Sequence, residues 1–384
     1  MAEFGLSEEH EMFRRVMQDF VRKEFAQGAK ERAKQNFLPP ELLKRTGELG
    51  FLAPQLPAKY GGQDGDIFSL AIAVEEIAKV DFNFPLAMIN LNGAALALEL
   101  STEDMRQEWL PKLARGEQVV CLAVTEPDTG SDAANMRMKA VREGDSYVLS
   151  GEKTSISLGM QANVTYTFAK TGPADRARGI TCFWVPLNLP GIERSAFSDM
   201  GWIPLARASI IMDGVRLPAR YRLGEEGKGF YQLMGTFDAY RVLMTLMALG
   251  AAQASLEETI SYAKQRTAFG KPIAKFEGVS FKIAEAATEI DAARLLCYRT
   301  LWLRHQGMPH TKEAAMCKWF GVKAAERAAY DAIRIHGHVG YSAEYPLEQR
   351  LRDIMGLSVG ADGTPEILKI IIAREILGRE FLPY

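Results

Sequence analysis

The run VVCLAVT at residues 119–125 decides the fold, because the character of the sequence changes there. Its apolar and β-branched residues lead into the turn formers of TEPDTGSD (residues 125–132), which is typical of a strand that ends at a loop. Before Gly116 apolar residues recur at helical spacing, and after Gly229 that spacing returns. The sequence therefore predicts helices, then a β-domain, then helices again.

The predicted elements cover most of the chain. Helices are predicted at residues 7–21, 39–50, 67–80, 88–100, 230–267, 279–306, 311–336 and 364–380. Strands are predicted at residues 119–125, 141–149 (a hairpin around Gly144), 164–169, 180–185 and 208–212. This pattern predicts a mainly α fold with a central antiparallel β-barrel or sandwich. We predict domains at residues 1–118, 119–228 and 229–384.

Composition and charge disfavour several classes of protein. Of the 384 residues, 47% are apolar and 24% are charged, so the chain can bury a large core without metal or disulfide staples. The net charge of −2, without a basic stripe, makes a nucleic-acid partner unexpected. No apolar stretch reaches the roughly 20 residues of a membrane span, and residues 1–6 do not have the pattern of a secretory signal.

The four cysteines, at positions 121, 182, 297 and 317, form no C-x-x-C pair. Scattered cysteines disfavour a disulfide framework or a zinc site and favour a reducing, cytoplasmic location. His336 and His338 lie two residues apart without an acidic third ligand in register, which makes a poor metal site. We therefore expect no metal. A strand–GxGxxG–helix unit is also missing, so a Rossmann dinucleotide site is not predicted.

Several short motifs follow one another along nearly the whole chain. They are TEP and GSD within residues 125–132, GEEGKGF at 224–230, R-x-x-FG at 266–270, G-x-x-GY at 337–341, RD at 352–353 and DGT at 362–364. In this order they make the chain resemble the flavin-dependent acyl-CoA dehydrogenase family. The resemblance implies an N-terminal helical domain, a central β-domain and a C-terminal four-helix bundle. It also implies one FAD per subunit, a homotetramer, an acyl-CoA substrate and an electron-transferring flavoprotein as acceptor.

The resemblance assigns two groups of residues to FAD. The first group surrounds TEPDTGSD and the segment after GEK: Leu122, Val124, Thr125, Gly130, Ser131, Ser155, Ile156 and Ser157. The second group lies in the C-terminal part: Arg266, Phe269, Arg334, His336, Gly337, His338, Thr364 and Glu366. Without the resemblance, TEPDTGSD is a surface turn and Arg266 a cation at a helix end. The residue types suit the cofactor, because hydroxyl and backbone donors match a flavin edge and a guanidinium matches a pyrophosphate.

Asp362 stands at the position of the family's catalytic glutamate. Local sequence alone predicts a turn at Asp362-Gly363, followed by Thr364 as a helix N-cap. The resemblance instead makes Asp362 the base that removes an α-proton from an acyl thioester while a β-hydride passes to flavin. Its backbone N–H would donate to the thioester oxygen. The helix N-terminus favours the charged carboxylate, and we expect burial to prevail and raise its pKa only with substrate bound.

The resemblance also places four residues at the substrate, with the CoA end near Asp238 and Arg241. The set is Ser131, Asp238, Arg241 and Gly363. Without the resemblance, Asp238 and Arg241 form an i,i+3 ion pair on one helix face, and the two interpretations are about equally supported.

Three residues depart from the family pattern in one direction. Asp362 is one methylene shorter than glutamate, Ala361 replaces a bulky tyrosine and Ser155 replaces a tryptophan. All three changes enlarge the space beside the α-carbon. We therefore predict a bulky or alicyclic acyl group such as cyclohexane-1-carboxyl-CoA, on which some family members are thought to act with an aspartate base. Glu277 replaces a usual glutamine, and its carboxylate would repel a nearby pyrophosphate.

Other activities stay open at this point. A short- or branched-chain acyl-CoA dehydrogenase is one, and an enoyl-CoA reductase would run the same chemistry backwards. A nitroalkane-oxidase-like enzyme also uses an aspartate base, but it pairs that base with an arginine where this chain has Lys369. A non-enzymatic role in assembly or nucleic-acid binding is disfavoured by the intact Asp362 and the near-neutral charge.

Overall fold

The computed structural model describes residues 6–172 and 176–382. These residues form two compact units. The helical unit comprises residues 6–33, 67–85 and 238–382, and the β unit comprises residues 34–66, 86–172 and 176–237. Of residues 1–6, which carried the expectation about a secretory signal, only Leu6 lies within the described part. The predicted domain boundaries at 118/119 and 228/229 stay predictions.

In the described part of the chain, six α-helices precede the first strand. They are α1 (Glu8–Phe20), α2 (Ala29–Arg32), α3 (Pro40–Glu48), α4 (Ile67–Ala78), α5 (Pro85–Leu98) and α6 (Glu103–Ala114). The predicted start of α1 is confirmed, because the Ser7 side chain accepts a hydrogen bond from the His10 backbone N–H. The predicted end of α3 is also confirmed, because Gly50 follows it with φ 71°.

The β unit contains one eight-stranded sheet in the order β6-β7-β3-β2-β4-β5-β8, with β1 paired to β4. Its strands are β1 (Val120–Ala123), β2 (Lys139–Glu143), β3 (Ser146–Ile156), β4 (Val164–Lys170), β5 (Ile180–Pro186), β6 (Ile192–Ala196), β7 (Ala208–Pro218) and β8 (Arg222–Leu223). The pairing is antiparallel except that β1 runs parallel to β4 and one residue pair joins β2 to β4 in parallel. The predicted antiparallel β-domain is present, and these parallel pairings are an addition that the sequence did not indicate.

Burial explains which strands the sequence revealed. All but the last residue of β4 and of β5 are buried, and both strands are rich in the β-branched and aromatic residues that are typical of strands. In contrast, β6 is exposed along almost its whole length and carries Glu193 and Arg194. Charged residues on an edge strand protect it from pairing with other chains. They also leave the strand without the alternation of apolar and polar residues by which strands are predicted. The prediction therefore missed β6.

Two irregularities in the pairing of β3 with β7 shape the end of β3. The first is at Gly151, where an added Cβ would lie 2.9 Å from Met138. The second falls between Lys153 and Ile156 and contains Ser155, whose φ is 62°. A β-bulge bends a strand and re-aims its side chains. At Ser155 the side chain therefore does not follow the regular alternation of the strand between the two faces of the sheet.

The remaining helices follow the sheet. They are α7 (Gly229–Gln265), α8 (Glu277–His305), α9 (Thr311–Met316), α10 (Val322–His336), α11 (His338–Tyr341), α12 (Leu347–Val359) and α13 (Pro365–Leu377). A two-stranded hairpin of β9 (Thr267–Ala268) and β10 (Lys271–Pro272) connects α7 to α8. The predicted helix over residues 311–336 is present as one continuous run of helical backbone, but the prediction missed the π-helical turn Cys317–Gly321 between α9 and α10. Helix α12 was not predicted.

Residues 238–265 of α7 belong to the helical unit and make close backbone contacts there. A Cβ added to Gly250 would lie 2.5 Å from the carbonyl oxygen of Glu75, so α7 and α4 nearly touch. A Cβ added to Gly321 would lie 2.3 Å from the Thr245 side chain. The π-helical turn therefore packs directly on α7, and such tight packing leaves little freedom for the residues that the turn carries.

No helix within 6–172 or 176–382 is long and apolar enough to cross a membrane. Over these ranges, no three His, Cys, Asp or Glu side chains come together as metal ligands.

Candidate active site

Asp362 lies in a short loop between α12 and α13, and the backbone of this loop is unusual. Ala361, Asp362 and Gly363 have φ values of 45°, 54° and 110° in succession. Residues other than glycine adopt the left-handed region at a cost of roughly 1–2 kcal/mol each, so surrounding contacts must hold the loop in place. Thr364 then caps α13 by accepting from the Ile367 N–H at 3.5 Å, which confirms the predicted N-cap.

The carboxyl group of Asp362 has the properties of a base. The residue as a whole is part-exposed, but its Oδ2 is buried and has no hydrogen-bond partner among the described residues. Burial raises the pKa of Asp362 to about 6, although the cations of Lys318 and Arg241 pull it down. The expectation that burial prevails only with substrate bound is therefore wrong. The Asp362 backbone N–H also has no acceptor among the described residues.

Arg241, on α7, binds the loop at residues 360–364, which we call the base loop because it carries Asp362. Its Nε donates to the backbone carbonyl of Asp362 at 3.1 Å, and its Nη1 donates to Asp238 Oδ1 at 2.9 Å. Thr311 donates to the other carboxylate oxygen of Asp238 at 2.6 Å. Both Asp238 and Arg241 are at least nine-tenths buried. The structure therefore joins these two residues as the ion pair considered above and adds a bond to the base loop.

Lys318 binds the start of the same loop. It lies in the π-helical turn, and its Nζ donates to the carbonyl oxygen of Leu357 at 2.7 Å. Lys318 could not be selected from the sequence, since its neighbours fit a continuous helix. Thr311 was not selected either, and it is linked to the loop through Asp238 and Arg241.

In the β unit, Glu126 and Lys153 anchor the segment that the resemblance assigns to flavin. Lys153 Nζ lies 2.8 Å from Glu126 Oε1 and donates to the Val124 carbonyl at 2.9 Å. Glu126 also accepts from the backbone N–H groups of Arg137 and Met138. In addition, the Thr154 N–H donates to the carbonyl of Thr125 at 2.8 Å. The loop after β1 and the end of β3 are thus joined.

Several predicted cofactor residues lie around this junction. The hydroxyls of Thr125, Ser131 and Ser157 make no hydrogen bond within the described residues. A Cβ added to Gly130 would meet nothing within 4 Å. Side chains of Leu122 and Val124 are half-buried, and Ile156 is buried below the surface. Free hydroxyl donors beside an open glycine suit close approach by a flat polar ring.

Ser155 has a partner that the sequence did not indicate. Its Oγ accepts a hydrogen bond from Arg207 Nη1 at 2.7 Å. Arg207 also forms an ion pair with Asp199, and its guanidinium lies over the Phe197 ring at 4.8 Å. In the family that the sequence resembles, this position carries a tryptophan. Here the Ser155 hydroxyl stands at this position, bonded to the Arg207 guanidinium. The partner was not foreseeable, because Arg207 is 52 residues away in sequence.

The second group of predicted cofactor residues contains exposed, half-buried and buried members. Arg266 is exposed and unpaired among the described residues, and Phe269 is 95% exposed. His336 is buried, stacked on Tyr262 with ring centroids 4.1 Å apart. The remaining members Arg334, Gly337, His338 and Glu366 are exposed, whereas Thr364 is half-buried. Their cofactor roles stay predictions, and the buried His336 ring is the member least accessible to a ligand.

These residues fit an FAD chemically. An exposed guanidinium matches a pyrophosphate, an exposed aromatic ring offers a stacking surface, and the hydroxyls in the β unit match a flavin edge. Glu277, whose carboxylate appeared unfavourable from the sequence, is the first residue of α8. An acid in the first turn of a helix interacts favourably with the helix dipole, so Glu277 has a structural role of its own.

Comparison with known proteins agrees with the resemblance. The chain matches the acyl-CoA dehydrogenase N-terminal domain at residues 7–117, the middle domain at 121–215 and the C-terminal domain at 227–377. It is 38% identical over 379 residues to a probable acyl-CoA dehydrogenase, YngJ, of Bacillus subtilis, covering 97% of this chain and 99% of that protein. It is 36% identical to the mitochondrial short-chain specific acyl-CoA dehydrogenase of Rattus norvegicus, with 97% and 91% coverage. The solved acyl-CoA dehydrogenase of Geobacillus kaustophilus superposes with a TM-score of 0.92 at 35% identity, with 98% and 100% coverage.

Proposed function

The chain belongs to the acyl-CoA dehydrogenase family, whose members bind FAD, and on this premise we propose that Asp362 is its catalytic base. The single observation that carries the proposal is the buried, unpaired Oδ2 of Asp362. A buried carboxylate without donors keeps its lone pairs for an incoming proton. Its pKa of about 6 leaves it ionised at neutral pH yet more basic than an ordinary aspartate.

The proposed reaction removes hydrogen from the α and β carbons of an acyl thioester. Asp362 Oδ2 takes the α-proton, and the electron pair of the broken C–H bond moves toward the thioester carbonyl. The free backbone N–H of Asp362 donates to the carbonyl oxygen, where negative charge develops. Bound FAD supplies the acceptor for the β-hydride. Arg241 contributes by binding the Asp362 carbonyl, which helps to keep the loop that carries the base in place.

The proposed cofactor and substrate residues follow from the two groups described above. Thr125, Ser131 and Ser157 would hold the flavin through their free hydroxyls, and Arg266 would hold the pyrophosphate. Ser131 and Gly363 would also line the substrate path. Because Asp238 and Arg241 are buried and bonded to each other, we propose that they act on the substrate mainly through the base loop.

We propose a short acyl chain as the first candidate substrate, since the similar rat enzyme is named short-chain specific. An alicyclic acyl group such as cyclohexane-1-carboxyl-CoA is the second candidate. The observation that favours it is the combination of a short base with Ala361 beside it, which leaves room near the α-carbon. The enoyl-CoA reductase direction uses the same residues. Lys369 is exposed and lies over the Trp319 ring, which gives no support to a nitroalkane-oxidase-like site.

Three further parts of the proposal concern the surroundings of the enzyme. We propose an electron-transferring flavoprotein as acceptor and a homotetramer as the assembly, both from family membership. We propose a cytoplasmic location because the four cysteines are free and buried, as suits a reducing compartment.

The test is an anaerobic titration of the FAD-loaded enzyme with butyryl-CoA and with cyclohexane-1-carboxyl-CoA, followed by turnover with each. We expect the flavin absorbance to bleach with the preferred thioester. Asp362→Asn is expected to lower kcat by about 10³-fold, within the range for loss of a general base. Glu344→Gln, which removes an exposed carboxyl, is the matched control and should leave turnover unchanged. Near wild-type turnover by Asp362→Asn would show that the base is elsewhere.

A further inference from the structure

Lys318 is a buried cation without a bonded carboxylate. Its residue is 2% exposed, and its Nζ contacts two backbone carbonyls, that of Leu357 at 2.7 Å and that of Gly360 at 3.4 Å. No carboxylate among the described residues forms an ion pair with it. A charge removed from water is costly unless something nearby compensates it. Asp362 supplies such a compensating charge, which favours the charged form of Lys318.

The π-helical turn explains how a lysine reaches this position. The turn Cys317–Gly321 interrupts the helical spacing between α9 and α10, and such interruptions are frequent at functional sites. The close approach of Gly321 to Thr245 fixes the turn against α7. The ammonium is thus carried by a rigid element rather than by a loop.

The two carbonyls that Lys318 binds lie where the base loop begins. Leu357 is in the last turn of α12, where carbonyl groups lack helical partners, and Gly360 is the first residue after that helix. A cation at this end also complements the helix dipole. Arg241 binds the loop further along, at the Asp362 carbonyl. The left-handed residues Ala361 and Asp362 therefore lie between two cationic anchors.

We propose that Lys318 is a positioning residue that fixes the Asp362 loop and stabilises the ionised form of the Asp362 carboxylate. This inference rests on the proposed function of Asp362. The charged groups that act on Asp362 are Lys318 of the π-helical turn and Arg241 of α7. On α7, the charge of Arg241 is partly compensated by its ion pair with Asp238. On α13, the charge of Arg374 acts on Arg241. Glu366 and Lys369 of the same helix are exposed. Within the part of the chain that the structure describes, Lys318 is thus a buried cation near the base that bonds to carbonyls and to no carboxylate.

The experiment compares the pH dependence of kcat/KM in Lys318→Met and in the wild type, with butyryl-CoA and cyclohexane-1-carboxyl-CoA as substrates. A base must be ionised, so activity falls below the pKa of Asp362. Burial raises this pKa and the Lys318 charge lowers it, so loss of the charge should raise the pKa further. We expect the acid limb to move up by about one pH unit, at the lower end of the effect of a nearby charge. Lys323→Met removes an exposed charge from α10 and should not move the limb.

A second measurement separates position from charge and does not depend on turnover. Infrared titration of the carboxyl band, taken as the difference from Asp362→Asn, reports ionisation of Asp362 directly. Lys318→Arg keeps the charge and should leave both the band titration and the acid limb near their wild-type positions. Lys318→Gln keeps a donor for the carbonyls without the charge and should shift both. It also replaces Lys318→Met if that variant does not fold.

The outcomes distinguish this inference from the proposed function. Turnover that persists in Asp362→Asn would overturn the proposed function itself. An inactive Asp362→Asn together with an unmoved acid limb and band in Lys318→Met or Lys318→Gln would overturn only the role of Lys318. An equal shift in Lys318→Arg would also contradict it, because the charge would then not be the cause.

Discussion

Among the described residues, Lys153 and Lys318 are the two lysines that are almost completely buried, and their acids are arranged differently. Lys153 bonds directly to Glu126, whose oxygens also accept from two backbone N–H groups. Lys318 bonds to carbonyls, and the acid near it, Asp362, keeps an unpaired oxygen. Burial lowers the pKa of both lysines to about 8.

The difference separates a structural carboxylate from a reactive one. Hydrogen bonds to a carboxylate stabilise its charged form and use the lone pairs that would accept a proton. Glu126 is fully bonded and therefore suited to hold the loop after β1 in place. Asp362 receives charge compensation from a distance without hydrogen bonds to Oδ2, so it stays ionised and still able to take a proton.

The largest effect on stability is expected where the ion pair is direct. Glu126→Gln leaves the Lys153 ammonium buried without a countercharge, and breaking a buried pair from one side costs about 3–5 kcal/mol. We expect urea unfolding of the FAD-saturated protein to show a loss of this size. In Lys153→Met/Glu126→Gln both charges are absent, and part of the stability should return.

The control for this pair is Arg137→Met with Asp128→Asn, which removes an exposed ion pair of the same unit. Exposed pairs contribute about 0–1 kcal/mol, so little change is expected. A double variant of Lys153 and Glu126 that is as unstable as the sum of its single variants would show that the two charges do not act as a pair.

The same comparison shows what the sequence could and could not predict. The Asp362-Gly363 turn and the Thr364 cap are local, because they depend on residues within one helical turn, and both were predicted. The contacts of Lys318 with Leu357 and of Lys153 with Glu126 join residues 39 and 27 positions apart. Periodicity indicates which face of an element is buried, but not which residue on another element it meets.

The elements that were missed have the same physical explanation. The π-helical turn Cys317–Gly321 differs from an α-helix by the register of its hydrogen bonds, which the pattern of apolar residues does not reveal. The parallel pairing of β1 with β4 depends on strands 44 residues apart. In each case the decisive interaction is distant in the sequence, and the functional loops depend on such interactions.

A smaller effect is expected from the charge of the base itself. The pKa of Asp362 is about 6 in the folded protein and 3.8 ordinarily, so folding favours the protonated carboxyl. This contribution to the stability of the folded state is fully present below pH 3.8 and is lost as the pH rises through 6. Asp362→Asn resembles the protonated form at every pH. We therefore expect it to be more stable than wild type by about 3 kcal/mol at pH 8 and about equal near pH 4.

This gain should appear in urea unfolding at the two pH values, with Glu344→Gln as the control that shows no such difference. An Asp362→Asn variant that is less stable than wild type at pH 8 would mean that the carboxylate contributes more to Lys318 and Arg241 than its burial costs. Asp362 would then resemble Glu126, and the distinction between the two acids would fail.

The smallest effect concerns Thr364, which ends the base loop. Its cap bond to the Ile367 N–H is long, at 3.5 Å, so Thr364→Ala should cost about 0.5–1 kcal/mol in urea unfolding, the lower part of the range for N-caps. Thr364→Ser keeps the hydroxyl and should cost less. We expect this modest cost because the loop is held mainly by Lys318 and Arg241. If Thr364→Ala instead cost as much as Glu126→Gln, the cap would be the main anchor of Asp362, and the two cations would have a smaller part in holding the base than their contacts indicate.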